Sequence, residues 1–77
     1  MDIELLKYFI NRFDKTQKNL AKAMGISASR LNAKINNYRG AEFTEPEMRF
    51  IKERYELDND EFNRIFFNDL VSKKDTR

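Results

Sequence analysis

The stretch Thr16-Gln17-Lys18-Asn19-Leu20-Ala21-Lys22-Ala23-Met24-Gly25-Ile26-Ser27-Ala28-Ser29-Arg30-Leu31-Asn32-Ala33-Lys34-Ile35-Asn36 decides how this chain folds. Thr16 can cap a helix by accepting a backbone N–H bond, after which Leu20, Ala21 and Met24 recur on one helical face. Gly25 then stands where a helix C-terminus needs a left-handed residue, a conformation that glycine adopts without steric cost. Ile26 supplies an apolar anchor, and Ser27 caps a second helix whose inward pair is Leu31 and Ile35 at i, i+4. Asn36, Asn37 and Gly40 end it.

Outward from this centre the chain keeps reading as helix. Upstream, Leu5, Leu6, Phe9, Ile10 and Phe13 fall at helical spacing, which predicts an amphipathic first helix running to about Asn11 or Arg12, with Asp14 and Lys15 as its connection. Downstream, Thr44 and Glu47 form a capping box, Pro46 lies in the tolerated first turn, and Phe43 with Met48 fits the flanking hydrophobic staple. Met48, Ile51 and Tyr55 form the inward stripe of that fourth helix. Asp58 and Glu61 repeat the box, with Leu57 against Phe62, and open a fifth helix through Ile65 and Phe66 to about Leu70. Residues 36–43 are less decided, since Tyr38 and Phe43 also suit a short extended segment. The expected fold is all-α, a compact bundle of five short helices, one domain over residues 1–77 with 71–77 as a flexible tail.

Composition narrows the function. The 77 residues contain no cysteine and no histidine, which removes disulfides, zinc and iron–sulfur ligation, thiol nucleophiles and histidine bases together. The carboxylates fall at helix starts and exposed faces, no Gly-rich phosphate loop is present, and neither an enzyme nor a bound cofactor or metal is expected. The chain begins without the basic and apolar pattern of a secretory leader and has no run of membrane-spanning length, so a cytoplasmic protein is expected.

The formal net charge is only +2, but from Lys15 to Gly40 there are six basic residues and no acidic one, against net −4 in the rest. Such concentration of positive charge beside a projecting helix is what duplex DNA attracts. A helical projection with Leu31 and Ile35 inward leaves Ser29, Arg30 and Ala33 outward, flanked by Asn32 and Asn36 on one side and Lys34 on the other. Arginine pairs with guanine, asparagine with adenine, serine bonds several bases, and alanine methyls pack on thymine. Gln17 at a helix N-terminus, with Lys18, Lys34, Asn37, Tyr38 and Arg39, would contact phosphates. Nine of the ten aromatic residues lie outside the basic segment, which argues against stacking on unpaired bases.

The pattern of Gln17, Leu20-Ala21, Gly25-Ile26-Ser27 and Leu31 resembles the phage repressor and Cro helix-turn-helix proteins, the XRE family, and the likeness extends over residues 3 to 68. The resemblance implies a Cro-like repressor of a phage or prophage that inserts the helix over about residues 28–36 into the major groove. It also implies that Ala28, Ser29 and Asn32 contact bases, although the family's usual glutamine is replaced here by Ala28, which moves emphasis to Arg30 and Asn32. Repression is expected because the chain has no further domain for contacting polymerase or sensing a small-molecule ligand. The expected partner is a double-stranded DNA operator, bound by a homodimer. Adjacent Phe66 and Phe67 cannot both face inward on an ideal helix, so the dimer interface is expected at Phe66, Phe67 and Leu70, with one of the two phenylalanines as a contact; the alternative is a fifth helix wedged into the body that buries both. The competing expectation is a module that grips a partner repressor or a toxin through its acidic, Phe-rich fourth and fifth helices.

Overall fold

The computed structural model describes residues 1–67. They form five α-helices: α1 (Ile3–Phe9), α2 (Gln17–Met24), α3 (Ala28–Ile35), α4 (Glu45–Arg54) and α5 (Asn59–Phe66). There is no strand among the described residues, and no helix among them is long and apolar enough to cross a membrane.

Each helix starts at a side-chain cap. Asp2 accepts from the Leu5 N–H at 3.1 Å, Thr16 from Asn19 at 3.2 Å and Ser27 from Arg30 at 3.1 Å. Both expected capping boxes close: Thr44 with Glu47, and Asp58 with Glu61. These bonds satisfy N–H groups that the first turn of a helix leaves without partners. The helices then bury one residue or more apiece in a common core, where Leu6, Leu20, Leu31, Ile35, Ile51 and Ile65 are all 0% exposed. Met48, expected in the inward stripe of α4, is only half-buried, whereas Ile51 and Tyr55 are buried as expected. The Asp2 N–H donates to the Ile65 carbonyl at 2.8 Å, which ties the start of α1 to the end of α5.

The first helix departs from expectation. It does not stop at Asn11 or Arg12 but continues as a π-helical turn, Ile10–Asp14, closed by an i→i−5 bond from Lys15 N–H to the Ile10 carbonyl at 2.8 Å. A π turn holds one residue more than an α turn, so residues beyond it lose the 3.6 periodicity. Phe13, expected on the inner face, is consequently half exposed, and Asp14, expected in a connection, is buried at 6% exposure. Phe13 keeps an outer place in an aromatic stack, 5.3 Å from the Tyr55 ring and 6.2 Å from Phe9.

Asp14 is held by three donor groups. Arg54 donates from Nε and Nη2, at 3.1 Å to Oδ2 and 2.6 Å to Oδ1, and the Tyr55 hydroxyl donates a short bond to Oδ2. The Arg54 bonds hold the Asp14 carboxyl below the usual carboxylate range against the upward push of burial, with Tyr55 adding to the effect. Burial raises the Tyr55 phenol well above its ordinary value, and the neighbouring carboxylate reinforces this. On the other side of the junction, Asn19 Nδ2 donates to the Asp14 backbone carbonyl at 2.7 Å. The start of α2 is thus pinned to the end of the π turn, which is pinned to the end of α4.

Residues 36–43 contain a 3-10 turn at Tyr38–Gly40, with left-handed backbone at Asn37, Arg39 and Gly40, before the chain extends into the Thr44 cap. Helix α5 ends at Phe66, short of the expected Leu70, because Phe67 leaves the helical conformation (φ −127°, ψ 25°) and closes the last turn with its N–H on the Asn63 carbonyl; Leu70 and the tail expected over 71–77 lie outside the described residues.

A carboxylate whose folded pKa lies below its unfolded value stabilises the fold above the unfolded pKa, and that contribution is lost as pH falls through the folded one. Acid titration followed by circular dichroism should therefore show stability falling below about pH 4. Asp14→Asn should cost about 2 kcal/mol at neutral pH, because it leaves buried donors poorly matched, and should flatten this acid limb. An unchanged acid limb in the variant would show that Asp14 carries none of it.

Candidate nucleic-acid interface

Helices α2 and α3 are joined by a turn whose hydrogen bonds determine its shape. Gly25 is left-handed (φ 79°, ψ 24°), its N–H bonds the Lys22 carbonyl at 3.2 Å, and the Ile26 N–H bonds the Ala21 carbonyl at 3.0 Å. This pair of bonds is a Schellman motif, which reverses the chain within two residues and satisfies carbonyls at the end of α2. Ser27 then caps α3 at once. Leu31 and Ile35 anchor α3 in the core on one side, while Ala28, Ser29, Arg30, Asn32 and Asn36 are exposed on the other. Ala33 is half-buried at the edge of that face.

Among the residues expected to flank this face, Gln17 is half-buried and Lys18 exposed at the start of α2. Asn37, Tyr38 and Arg39 are exposed beyond the end of α3, with the Arg39 guanidinium 5.2 Å from the centre of the Tyr38 ring.

Lys34 departs from the outward position expected of it. Its ammonium lies 3.1 Å from a Glu47 carboxylate oxygen and donates to the Glu42 carbonyl at 3.1 Å, leaving the side chain 11% exposed. Burial pushes the Glu47 carboxyl up, but the Thr44 backbone N–H and Lys34 outweigh it, and the group rests below the usual range. Glu47 therefore serves both its capping box and Lys34, fastening α3 to the start of α4. Lys34 is a structural cation in this arrangement. Lys15, Lys18, Lys22, Arg30 and Arg39 have no carboxylate partner among the described residues, so their charge faces solvent.

Two features of this region went unread in the sequence. The Lys34–Glu47 pair joins residues with no shared helical face, and no local spacing signals it. By contrast, Asn32 and Asn36 stand at i, i+4, a separation at which side chains meet, and Asn36 Nδ2 donates to Asn32 Oδ1 at 2.6 Å. At the far end of the fold, Phe66 is half-buried and packs edge to face on Phe43 at 5.6 Å, while Phe67 is 39% exposed. Phe66 is thus largely committed to its own chain, and Leu70 lies outside the described residues.

No group of acidic side chains that could hold a metal ion occurs among the described residues. The chain matches no family model, no curated protein and no solved structure.

A Cβ built at Gly25 would meet nothing within 4 Å, so any substitution there is penalised by backbone conformation alone. Gly25→Val should destabilise by about 1–2 kcal/mol, the cost of forcing a β-branched residue left-handed. Thermal melts should show a lowering of several degrees; an unchanged Tm would mean that the α2–α3 turn does not depend on glycine.

Proposed function

We propose that this chain is a sequence-specific DNA-binding protein of the phage repressor and Cro helix-turn-helix kind, which places α3 in the major groove and acts as a transcriptional repressor. The observation that carries the reading is the exposed face of α3: small, polar and basic, free of carboxylates, and presented by a capped helix behind a Schellman turn. A helix enters the major groove readily only when its outer residues are small or able to bond base edges, and Ser29, Arg30 and Asn32 meet that requirement.

Around this face, Lys18 and the N-terminal N–H groups of α2 would bind phosphate on one flank, and Tyr38 and Arg39 on the other. Lys34 is left out of the proposed contact set, because moving it to phosphate would strand Glu47 in a half-buried position. Arg30 is assigned to a base edge, where its planar fork matches guanine.

A single reading helix discriminates few base pairs, so two copies on half-sites about one DNA turn apart are part of the proposal. Phe67 supplies an exposed apolar contact for the second copy, beside the groove formed with Ile3, Phe43 and Met48.

A second reading, a module that binds a protein partner, is favoured by one observation. Tyr8 and Phe13 are 52% and 50% exposed on the first helix and its π turn, with Arg12 bonded to the Tyr8 hydroxyl and lying over the Phe13 ring. Two half-exposed aromatic side chains side by side offer a partner an apolar surface with a polar rim.

Titration with random duplex DNA should give binding that weakens steeply as salt rises. Lys18→Ala should lower the magnitude of the log–log salt slope by about 1 with little effect on site choice, whereas Arg30→Ala should relax discrimination at one position of a selected site. No duplex binding at low ionic strength, together with tight binding of a protein partner, would transfer the assignment to the second reading. On a two-half-site operator, Phe67→Ala should reduce cooperativity and leave single-half-site binding nearly intact; a one-to-one complex on a non-palindromic site would remove the dimer.

A further inference from the structure

Asn32 stands on the exposed face of α3, and a hydrogen bond from Asn36 orients its carboxamide. Asn36 Nδ2 donates both to the Asn32 backbone carbonyl, at 3.0 Å, and to Asn32 Oδ1, at 2.6 Å. A backbone carbonyl only accepts, so the Asn36 group facing it must be the NH2. The same NH2 is then the donor to the Asn32 side chain, which must turn its oxygen toward Asn36. The consequence is that Asn32 Nδ2 faces away from Asn36, and it has no hydrogen-bond partner among the described residues.

We propose that Asn36 is a positioning residue that makes Asn32 a reader of guanine and not of adenine. This rests on the DNA-binding reading given above. The usual asparagine–adenine pair needs both amide edges on the base, with Oδ1 accepting from N6 and Nδ2 donating to N7. With Oδ1 drawn back to Asn36, the edge offered to the groove is a pure donor carrying two hydrogens. Guanine presents two adjacent acceptors there, O6 and N7, which match it. Adenine offers this edge the single acceptor N7 and sets its N6 donor beside it, cytosine offers only a donor, and thymine offers a single acceptor beside a methyl group, so guanine alone takes both hydrogens. The local geometry thus reverses the preference expected from the residue type alone.

The test is selection of binding sites from random duplexes by the full chain and by variants at the two asparagines. In the wild type, one position of each half-site should be guanine, and Asn32→Ala should abolish the preference at that position only. Substituting 7-deazaguanine there should weaken wild-type binding by about tenfold, the scale of a good base contact. Asn36→Asp keeps the shape but can only accept, so it should turn the Asn32 amide over, present Oδ1 to the groove, and move the preference to adenine or cytosine. Asn36→Ala should release the amide and let adenine compete with guanine. Enrichment of the same base by the wild type, Asn36→Asp and Asn36→Ala would overturn the role of Asn36, as would wild-type selection of adenine at the Asn32 position. Failure of the wild type to enrich any duplex would overturn the DNA-binding reading itself, and the two failures are told apart by whether sites are recovered at all.

Discussion

The buried carboxylate of Asp14 joins the end of the first helical segment to the end of α4, and the placement of α2 follows from that junction. A carboxylate at 6% exposure is tolerable only where donors replace its water, and the Arg54 guanidinium and Tyr55 hydroxyl supply them from one turn of chain. The same residue offers its backbone carbonyl to Asn19, so the first turn of α2 is tied to the bonded carboxylate through a single residue. From there to α3 the geometry is local. The Schellman bonds at Gly25 and Ile26 and the Ser27 cap leave little freedom in how α3 projects, and the Lys34–Glu47 pair fastens its far half to α4.

The π turn and the Asp14 junction are two aspects of one arrangement. An α-helical continuation through Phe13 would have kept that ring on the inner face and left Asp14 outside. The extra residue in the turn exchanges them, so a charged group enters the interior and an aromatic ring moves to its edge. The exposure of Phe13 is therefore a by-product of burying Asp14, whereas Tyr8 lies in α1, ahead of the π turn.

Charge shows how residue type and residue role diverge. The acid-free run from Lys15 to Gly40 marks a basic region, yet its members differ in what they can reach. Lys34 is held by Glu47 and the Glu42 carbonyl, while Lys18, Arg30 and Arg39 remain in solvent. A similar divergence separates the asparagines. Asn32 is exposed, but Asn36 dictates which of its atoms faces outward.

The sequence by itself determined what depends on neighbours along the chain. The caps at Thr16, Ser27, Thr44 and Asp58, the left-handed Gly25, and the inward pair Leu31 and Ile35 are all set by side-chain and backbone groups within about one helical turn of each other, and the structure has each of them. Five helices and the exposed arc of α3 follow from the same short-range rules. Only the tertiary structure decided what depends on residues far apart. Asp14 is buried because Arg54 and Tyr55, forty or so positions later, meet it, and Phe13 is displaced as a result. Lys34 turns inward because Glu47 comes to rest beside it. The reason is the range of the forces involved: helix periodicity and capping act within a turn, whereas solvation of a buried charge is settled by whichever distant donors the packed chain brings to it.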